Sequence, residues 1–149
     1  MIEVRREPAG SPVARALLAA MEAEMLDLYA VPQMPRPASP DDLEPPGGAF
    51  VVVWEDGQAV AGGGLKRLEP GVVELKRMYV VPEARSRGHA RRLLAGLEDT
   101  ARELGYARVR LDTGARQPHA QALYESSGYR SIPDYSGNPV AAFWFEKTL

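Results

Sequence analysis

A strand that turns through a glycine into a helix is the feature that most constrains this chain. The apolar run at residues 72–81 predicts a strand, and the apolar stripe at residues 89–104 predicts a helix. The residues that join them are Arg85-Ser86-Arg87-Gly88-His89-Ala90. The first amides of a helix have no acceptor within it, and the helix dipole and the arginines add positive charge at the same point. This stretch therefore predicts a seat for a phosphate or a diphosphate.

Composition excludes several kinds of site. The chain has 149 residues, of which 45% are hydrophobic and 26% charged, and this suits one domain over residues 1–149 with a sizeable core. The absence of cysteine excludes disulfides, thiolate nucleophiles and zinc–thiolate sites. Two histidines are too few for a histidine-rich metal site, so we expect no metal.

Charge and hydropathy limit the partners. The formal net charge of −2 gives no overall field that would collect nucleic acid or an anionic membrane. The N-terminal residues contain no apolar signal core, and no stretch approaches the ~20 apolar residues of a membrane span. We therefore expect a cytoplasmic protein without a membrane or nucleic-acid partner.

Apolar periodicity predicts seven strands and three helices in one mixed α/β layer fold. The predicted strands are residues 2–7, 49–54, 58–67, 72–81, 107–113, 129–132 and 141–147, and the predicted helices are residues 13–29, 89–104 and 118–126. Turn residues Asp56-Gly57 and Glu69-Pro70-Gly71 join three of the strands into an antiparallel meander. The element order β-α-β-β-β-α-β-α-β-β places helices on both faces of one sheet.

Two segments interrupt the regular pattern. The glycines Gly62, Gly63 and Gly64 lie inside a predicted strand, which indicates a bulge or a close approach by another group. Residues 32–48 contain six prolines, and we expect no regular element there. This loop is either a plain connector or a lid that faces a substrate.

Two motifs lie in the second half of the chain. They are Arg85-x-x-Gly88-x-Ala90 and, about 35 residues later, Leu123-Tyr124-Glu125-x-x-Gly128-Tyr129. Together they resemble the signature segments of the GCN5-related N-acetyltransferases. The resemblance spans roughly residues 49–149. It implies a mostly antiparallel mixed sheet with one splayed pair of parallel strands, and acetyl-coenzyme A (acetyl-CoA) as the co-substrate.

The resemblance also implies where the co-substrate lies. Its diphosphate would sit on the backbone amides of Arg87, Gly88, His89, Ala90 and Arg91. Its pantetheine arm would lie in the gap between the splayed strands, paired with exposed backbone like an added strand. Gln117 stands where the family often has asparagine, and it can still contact the co-substrate. The implied binding residues are Met78, Tyr79, Val80, Arg85, Ser86, Arg87, Gly88, His89, Ala90, Arg91, Thr113, Gln117, Ala120 and Tyr124.

Glu74 is the candidate general base. Acetyl transfer to an amine requires that the amine lose a proton. Glu74 lies on the strand that leads to the seat, and strict alternation places it on the face of Lys76, Met78 and Val80. It matches a glutamate that often acts, commonly through a water, in the resembling family. The alternatives are an ion-pair partner for Lys76 or Arg77, or an exposed edge charge.

Tyr124 is the candidate acid that protonates the departing thiolate. It matches the family's tyrosine, and the unperturbed pKa of a phenol, ~10, is close enough to that of a thiol for proton sharing. The alternative is core packing with a satisfied hydroxyl. The backbone N–H of Met78 or Val80 is expected to hold the thioester oxygen.

These observations predict an N-acetyltransferase that moves acetyl from acetyl-CoA directly to a primary amine of a small molecule, amino acid or peptide. The alternative is a non-catalytic acyl-CoA-binding or sensing module. A nucleic-acid binder is disfavoured by the acidity of the chain and by the lack of aromatic residues among the arginines near Gly88.

Acceptor contacts are expected from the parts that the two motifs cover least. These are residues 26–48, the Gly62–Gly64 stretch and the loop around Tyr135. Arg77, Tyr79 and Trp144 are acceptor-side candidates, although Trp144 suits the core or a homodimer interface equally well. His119 is either a second base or a polar residue in the first turn of its helix.

Overall fold

A computed structural model describes residues 1–34 and 39–149. The strands are β1 (Ile2–Arg6), β2 (Ala49–Glu55), β3 (Gln58–Glu69), β4 (Val72–Val80), β5 (Arg108–Gly114), β6 (Arg130–Ser131) and β7 (Ala141–Thr148). The α-helices are α1 (Pro12–Tyr29), α2 (His89–Glu103) and α3 (Pro118–Ser126). The predicted elements and their order are confirmed, with ends that differ by one or two residues.

A short 3-10 helix at Pro40–Leu43 contradicts the prediction that residues 32–48 hold no regular element. The Ser39 hydroxyl accepts the amide of Asp41, while the Asp42 carboxylate accepts the amide of Ser39. This capping box, with proline in the first position, stabilises the turn in a proline-rich context. Residues 35–38 of the same loop lie outside the described residues.

The strands form one seven-stranded sheet in the order β1-β2-β3-β4-β5-β7-β6. All neighbours are antiparallel except β4 and β5, which are parallel. The Asp56-Gly57 turn has positive φ at both residues, 50° and 82°, as a tight hairpin between twisted strands requires. The predicted antiparallel meander of β2, β3 and β4 is therefore confirmed.

The parallel pair separates soon after it begins. Val72, Val73 and Glu74 pair with Arg108, Val109 and Arg110, and the described register between β4 and β5 stops there. The remaining halves of both strands, residues 75–80 and 111–114, part from each other. We call this gap the splay, and it confirms the expected splayed pair.

A β-bulge in β4 corrects the predicted alternation. Lys76 lies opposite Gly64 and Tyr79 opposite Gly62, so β4 has one more residue than β3 between these pairs. Arg77 takes a positive φ of 62° at this point. The bulge moves Met78 and Val80 onto the α2 side of the sheet, whereas Tyr79 packs on the α1 side. The prediction that Glu74 shares a face with Met78 and Val80 is therefore wrong.

The glycines of β3 face this bulge and admit close neighbours on both sides of the sheet. A Cβ at Gly62 would lie 2.8 Å from Leu17 of α1, and a Cβ at Gly63 would lie 3.1 Å from Leu97 of α2. The expectation of a close approach is confirmed. The extra residue of the bulge belongs to β4 and not to the glycine stretch.

Helices cover both faces of the sheet, as expected. On one face, α1 packs Leu17, Met21 and Met25 against Phe50 and Val52. On the other face, α2 and α3 enclose the larger cluster, whose largest fully buried side chains include Leu93, Leu97, Leu111 and Phe145. Burial of each side chain of this size contributes about 1.5–3 kcal/mol to the stability of the fold. The sheet, with the splay in it, is therefore held between two packed layers.

Glu146 joins the C-terminal strands at the level where the splay begins. Its side chain on β7 is buried, and it accepts hydrogen bonds from Arg110 of β5 at 3.2 Å and from Arg130 of β6 at 2.7 Å. Burial alone would raise the pKa of the Glu146 carboxyl, but the hydrogen bonds from Arg130 and Arg110 outweigh it, and the net pKa is lowered.

We expect Glu146→Gln to lower the free energy of unfolding by about 1–3 kcal/mol at neutral pH, because charged hydrogen bonds to both arginines are lost. A depressed folded-state pKa contributes stability above the unfolded-state pKa, ~4.3, that is lost as pH falls through the folded-state value. The stability difference between wild type and variant should therefore shrink in acid. Urea denaturation at neutral and acidic pH measures it, and a difference independent of pH would contradict this role of the charge.

Candidate functional site

The N-terminus of α2 leaves backbone donors open. Gly88 is the N-cap with φ of 83°, and no side chain among the described residues caps the helix. The first helical hydrogen bond runs from the amide of Arg92 to the carbonyl of Gly88, at 3.2 Å. The amides before it have no acceptor within the helix. The strand–glycine–helix arrangement is as predicted, and we call the amides of residues 86–91 the anion seat.

Arginine side chains around the seat are engaged within the protein. Arg85 donates to the carbonyl of Val80 at 3.0 Å and to the carboxylate of Glu24 on α1 at 2.7 Å. Arg91 donates to the hydroxyl of Ser126 at 2.8 Å. The positive character of the seat therefore comes first from backbone amides and the helix dipole, while Arg85 braces the end of β4 against α1.

The carboxylate of Glu55, at the end of β2, contacts the side chains of both residues that flank Gly88. Its carboxylate accepts from Arg87 at 3.2 Å and lies 3.1 Å from Nε2 of His89, whose side chain is buried. Arg92 lies 3.4 Å from Nδ1 of His89. Because a guanidinium only donates, Nδ1 is the acceptor in this contact, and Nε2 is then the ring nitrogen that donates to Glu55. A surface cavity of about 660 Å³, lined in part by Glu55 and Arg87, adjoins the seat.

Tyr124 lies on the α2 side of the splay. Its ring is 5% exposed, and its hydroxyl donates to Sδ of Met78 at 3.3 Å. The ring packs edge-on against Tyr129 with centroids 5.6 Å apart, so core packing and a hydroxyl at β4 occur together. Burial raises the pKa of the Tyr124 phenol, and the nearby Asp112 carboxylate raises it further. The phenol is therefore protonated at neutral pH, but its pKa lies further above that of a thiol than the unperturbed value on which the sequence-based argument for proton sharing relied.

Thr113 and Gln117 lie on the β5 side. The Thr113 hydroxyl is buried, and it has no hydrogen-bond partner among residues 1–34 and 39–149. Oε1 of Gln117 accepts from Tyr29 of α1 at 2.9 Å and from the amide of Gly114 at 3.3 Å, which leaves its Nε2 as a donor. Ala120 of α3 is partly buried against the same cluster. An unmet buried hydroxyl beside free strand backbone suits a polar, extended ligand.

Glu74 lies on the opposite side of the sheet from Tyr124's cluster. It is 2% exposed, and its carboxylate accepts from the hydroxyl of Tyr135 at 2.7 Å and lies 3.6 Å from Nζ of Lys76. The ion pair with Lys76 that we considered from the sequence is present, whereas the alternative of an exposed edge charge is wrong. The bulge at Arg77 separates Glu74 from the strand face that carries Met78.

The loop between β6 and β7 reaches over this side of the sheet. Besides Tyr135, it contributes Ser136, which accepts from Nε1 of Trp144 at 3.0 Å, and Asn138, which donates to Asp112 at 3.4 Å. Trp144 therefore fastens this loop to β7. His119 is exposed in the first turn of α3.

From the sequence we did not predict three features of the site: the bulge at Arg77, the contacts of Glu55 and the ion pair between Arg85 and Glu24. No periodicity marks an extra residue inside an apolar strand, and long-range ion pairs leave no local pattern. The glycines opposite the bulge were the available signal.

The part of the chain that the structure describes has no group of three or more histidine, aspartate and glutamate side chains arranged to hold a metal ion. Within that same part, no helix is both long enough and apolar enough to cross a membrane.

Comparisons with known proteins identify the family. Residues 14–129 match the model of the Acetyltransferase (GNAT) family. A protein of Escherichia coli strain K12 named "Uncharacterized N-acetyltransferase YjgM" is 40% identical over 94 residues, which are 61% of this chain and 56% of that protein. The matched segment thus spans little more than half of this curated relative.

Solved structures share the fold over the whole chain. A Klebsiella pneumoniae protein described as an acyl-CoA N-acyltransferase is 28% identical, with a TM-score of 0.79 over 100% of this chain and 98% of that one. An Elizabethkingia anophelis GNAT acetyltransferase with acetyl-CoA bound is 16% identical, with a TM-score of 0.70 over 99% and 98% of the two chains. The match to the family model covers most of the chain, and this protein therefore belongs to the GNAT family of acetyltransferases.

Proposed function

We propose that residues 1–149 form an acetyl-CoA-dependent N-acetyltransferase domain that transfers acetyl directly to a primary amine of a small molecule, amino acid or peptide. The observation that carries this proposal is the continuous path along β4. It runs from the buried carboxylate of Glu74, past the unpaired strand backbone of the splay, to the uncapped amides of the anion seat. Membership of the GNAT family supports the transferase class.

The chain's own groups fit acetyl-CoA along this path. The amides of residues 86–91 suit the diphosphate, and the backbone of residues 78–80 suits the amide groups of the pantetheine arm. The unmet hydroxyl of Thr113 and the free Nε2 of Gln117 offer polar contacts from the other edge of the splay. The proposal includes a homodimer, because Trp144 suits a subunit interface as well as the core. When bound, acetyl-CoA supplies the activated thioester.

Proton transfers are assigned to side chains on either side of β4. Glu74 takes a proton from the acceptor amine, directly or through a water, while Tyr135 and Lys76 hold its carboxylate. The amine nitrogen then forms a bond to the acetyl carbon, and the carbon–sulfur bond breaks. The N–H of Met78 or Val80 stabilises the thioester oxygen. The phenol of Tyr124 gives its proton to the departing thiolate.

A non-catalytic acyl-CoA-binding module is the second candidate. The burial of Glu74 favours it, because an acceptor amine must gain access to a carboxylate that is 2% exposed and already accepts from Tyr135. A panel of amines incubated with acetyl-CoA separates the two functions. Acetylated product supports the enzyme, and coenzyme A binding without any product supports the module.

We expect Gly88→Asp to abolish binding of coenzyme A, because a carboxylate would occupy the anion seat. Gly71→Asp is the matched control, since Gly71 also has a positive φ, 78°, and lies in the distant turn between β3 and β4. Isothermal titration calorimetry should register heat with coenzyme A for wild type and Gly71→Asp only. Wild-type affinity in Gly88→Asp would remove the seat from the proposal.

We expect Glu74→Gln to lower kcat at neutral pH by about 100-fold or more, because the amine loses its base. Glutamine can still accept from Tyr135, so the affinity for coenzyme A should not change. Higher pH should restore part of the rate, because more of the acceptor is then deprotonated in solution. Glu103→Gln on the exposed face of α2 serves as the control. A pH–rate profile identical to that of wild type would rule out Glu74 as the base.

We expect Tyr124→Phe to lower kcat by about 10- to 100-fold with little change in the KM for acetyl-CoA, because phenylalanine keeps the packing and removes only the proton donor. Tyr106→Phe, outside the splay, controls for loss of a hydroxyl. Steady-state kinetics test this expectation. An unchanged kcat would leave Tyr124 with a packing role alone.

A further inference from the structure

Charged side chains gather on the face of the splay that Glu74 occupies. Leu111 of β5 packs on the α2 side, so alternation places its neighbour Asp112 on the other face, together with Glu74 and Lys76 of β4. The charges of Glu22 on α1 and of Asp112 raise the pKa of Arg77 at the bulge. These residues lie on the face of the sheet from which an acceptor amine is proposed to approach Glu74.

Arg77 differs from the other arginines around the site. Its side chain is partly buried, yet among the described residues its guanidinium makes no hydrogen bond or ion pair. Arg110, which is also partly buried, is paired with Glu146 at 3.2 Å. Burial lowers the pKa of Arg77, while the charges of Glu22 and Asp112 raise it from a distance. The two carboxylates thus favour the charged guanidinium without occupying its N–H donors.

The backbone of Arg77 also departs from regular strand geometry at the bulge. Its φ of 62° is a left-handed conformation that is unfavourable for a residue with a Cβ. Glycine would relieve this cost, but the chain has arginine at the point where β4 leaves the ladder with β3. Strained residues of this kind are concentrated at ligand sites, where the surrounding structure holds them in place.

We propose that Arg77 binds a carboxylate of the acceptor, so that the substrate is an amine that also carries a carboxylate, such as an amino acid or a peptide with a free C-terminus. This inference rests on the proposed acetyl transfer. The planar guanidinium donates two parallel N–H groups that match a carboxylate. Glu74, three residues earlier on the same strand, then faces the amine of the same molecule.

Matched acceptors test the proposal. Purified protein is assayed with acetyl-CoA and, for a range of side chains, with the free amino acid, its carboxamide and the corresponding amine without a carboxyl group. A dipeptide with a free C-terminus and its carboxamide distinguish the peptide from the amino acid as the source of the carboxylate. We expect kcat/KM to be about 10- to 100-fold higher for the carboxylate of at least one pair, chiefly through a lower KM.

Variants of Arg77 separate the side chain from the strained backbone. Arg77→Gly keeps the conformation without strain and removes the guanidinium, and Arg77→Gln keeps the length without the charge. Both should lose the preference for the carboxylate, so that within each variant kcat/KM becomes equal for a carboxylate and its carboxamide, and the affinity for coenzyme A should not change. Arg77→Lys should retain part of the preference, and Arg102→Gln on the exposed face of α2 should retain all of it.

Two results would overturn the inference while the proposed function stands. One is equal kcat/KM for carboxylates and carboxamides in wild type, and the other is a carboxylate preference that survives in Arg77→Gly. A wild-type protein that binds coenzyme A but acetylates no acceptor in the panel would instead overturn the proposed function, and the inference with it.

Discussion

The parting of β4 from β5 is the constraint on which the rest of the structure depends. Parallel strands normally continue their ladder, because each unpaired N–H and C=O in a sheet costs free energy unless another group meets it. Here the described register stops after Glu74 and Arg110. The bulge at Arg77 begins where this pairing ends, so β4 leaves its regular geometry on both edges within a few residues.

Helix α1 braces both sides of the splay. Glu24 pairs with Arg85 just after β4, and Tyr29 donates to Gln117 just after β5. Gly114 makes the second contact possible, because a Cβ there would lie 1.7 Å from the hydroxyl of Tyr29. One helix thereby sets the distance between the two strand ends, and Glu55 sets the position of α2 through His89 and Arg87. The width of the splay is a property of these contacts and not of the strands themselves.

Local chemistry explains which parts of this arrangement were predictable. The glycine at residue 88, the turn at Asp56-Gly57 and the apolar stripe of α2 act over a few residues, and each appears in the structure as expected. The side of the sheet on which Met78 lies was predicted wrongly, because one inserted residue reverses every later side chain while the strand still reads as continuous. The pairing of Glu55 with His89 joins residues far apart in the chain, so no local pattern could indicate it.

Polar groups without a hydrogen-bond partner are likewise predictable where a local motif creates them and unpredictable where tertiary structure does. The amides at the start of α2 belong to a local motif, whereas the hydroxyl of Thr113 and the guanidinium of Arg77 become unmet only through the tertiary structure. Trp54 also buries an N–H without a partner among the described residues, and it lies on β2 away from the splay, so an unsatisfied donor alone does not define a site.

The seat amides, the hydroxyl of Thr113 and the guanidinium of Arg77 differ from Trp54 in their position along the parted strands. The amides and Thr113 lie where acetyl-CoA is proposed, and Arg77 lies on the side of the acceptor. Under the proposed function, these three donors lie where acetyl-CoA and the acceptor would bind. For this reason we propose a carboxylate on the acceptor amine as the partner of the partly buried charge of Arg77.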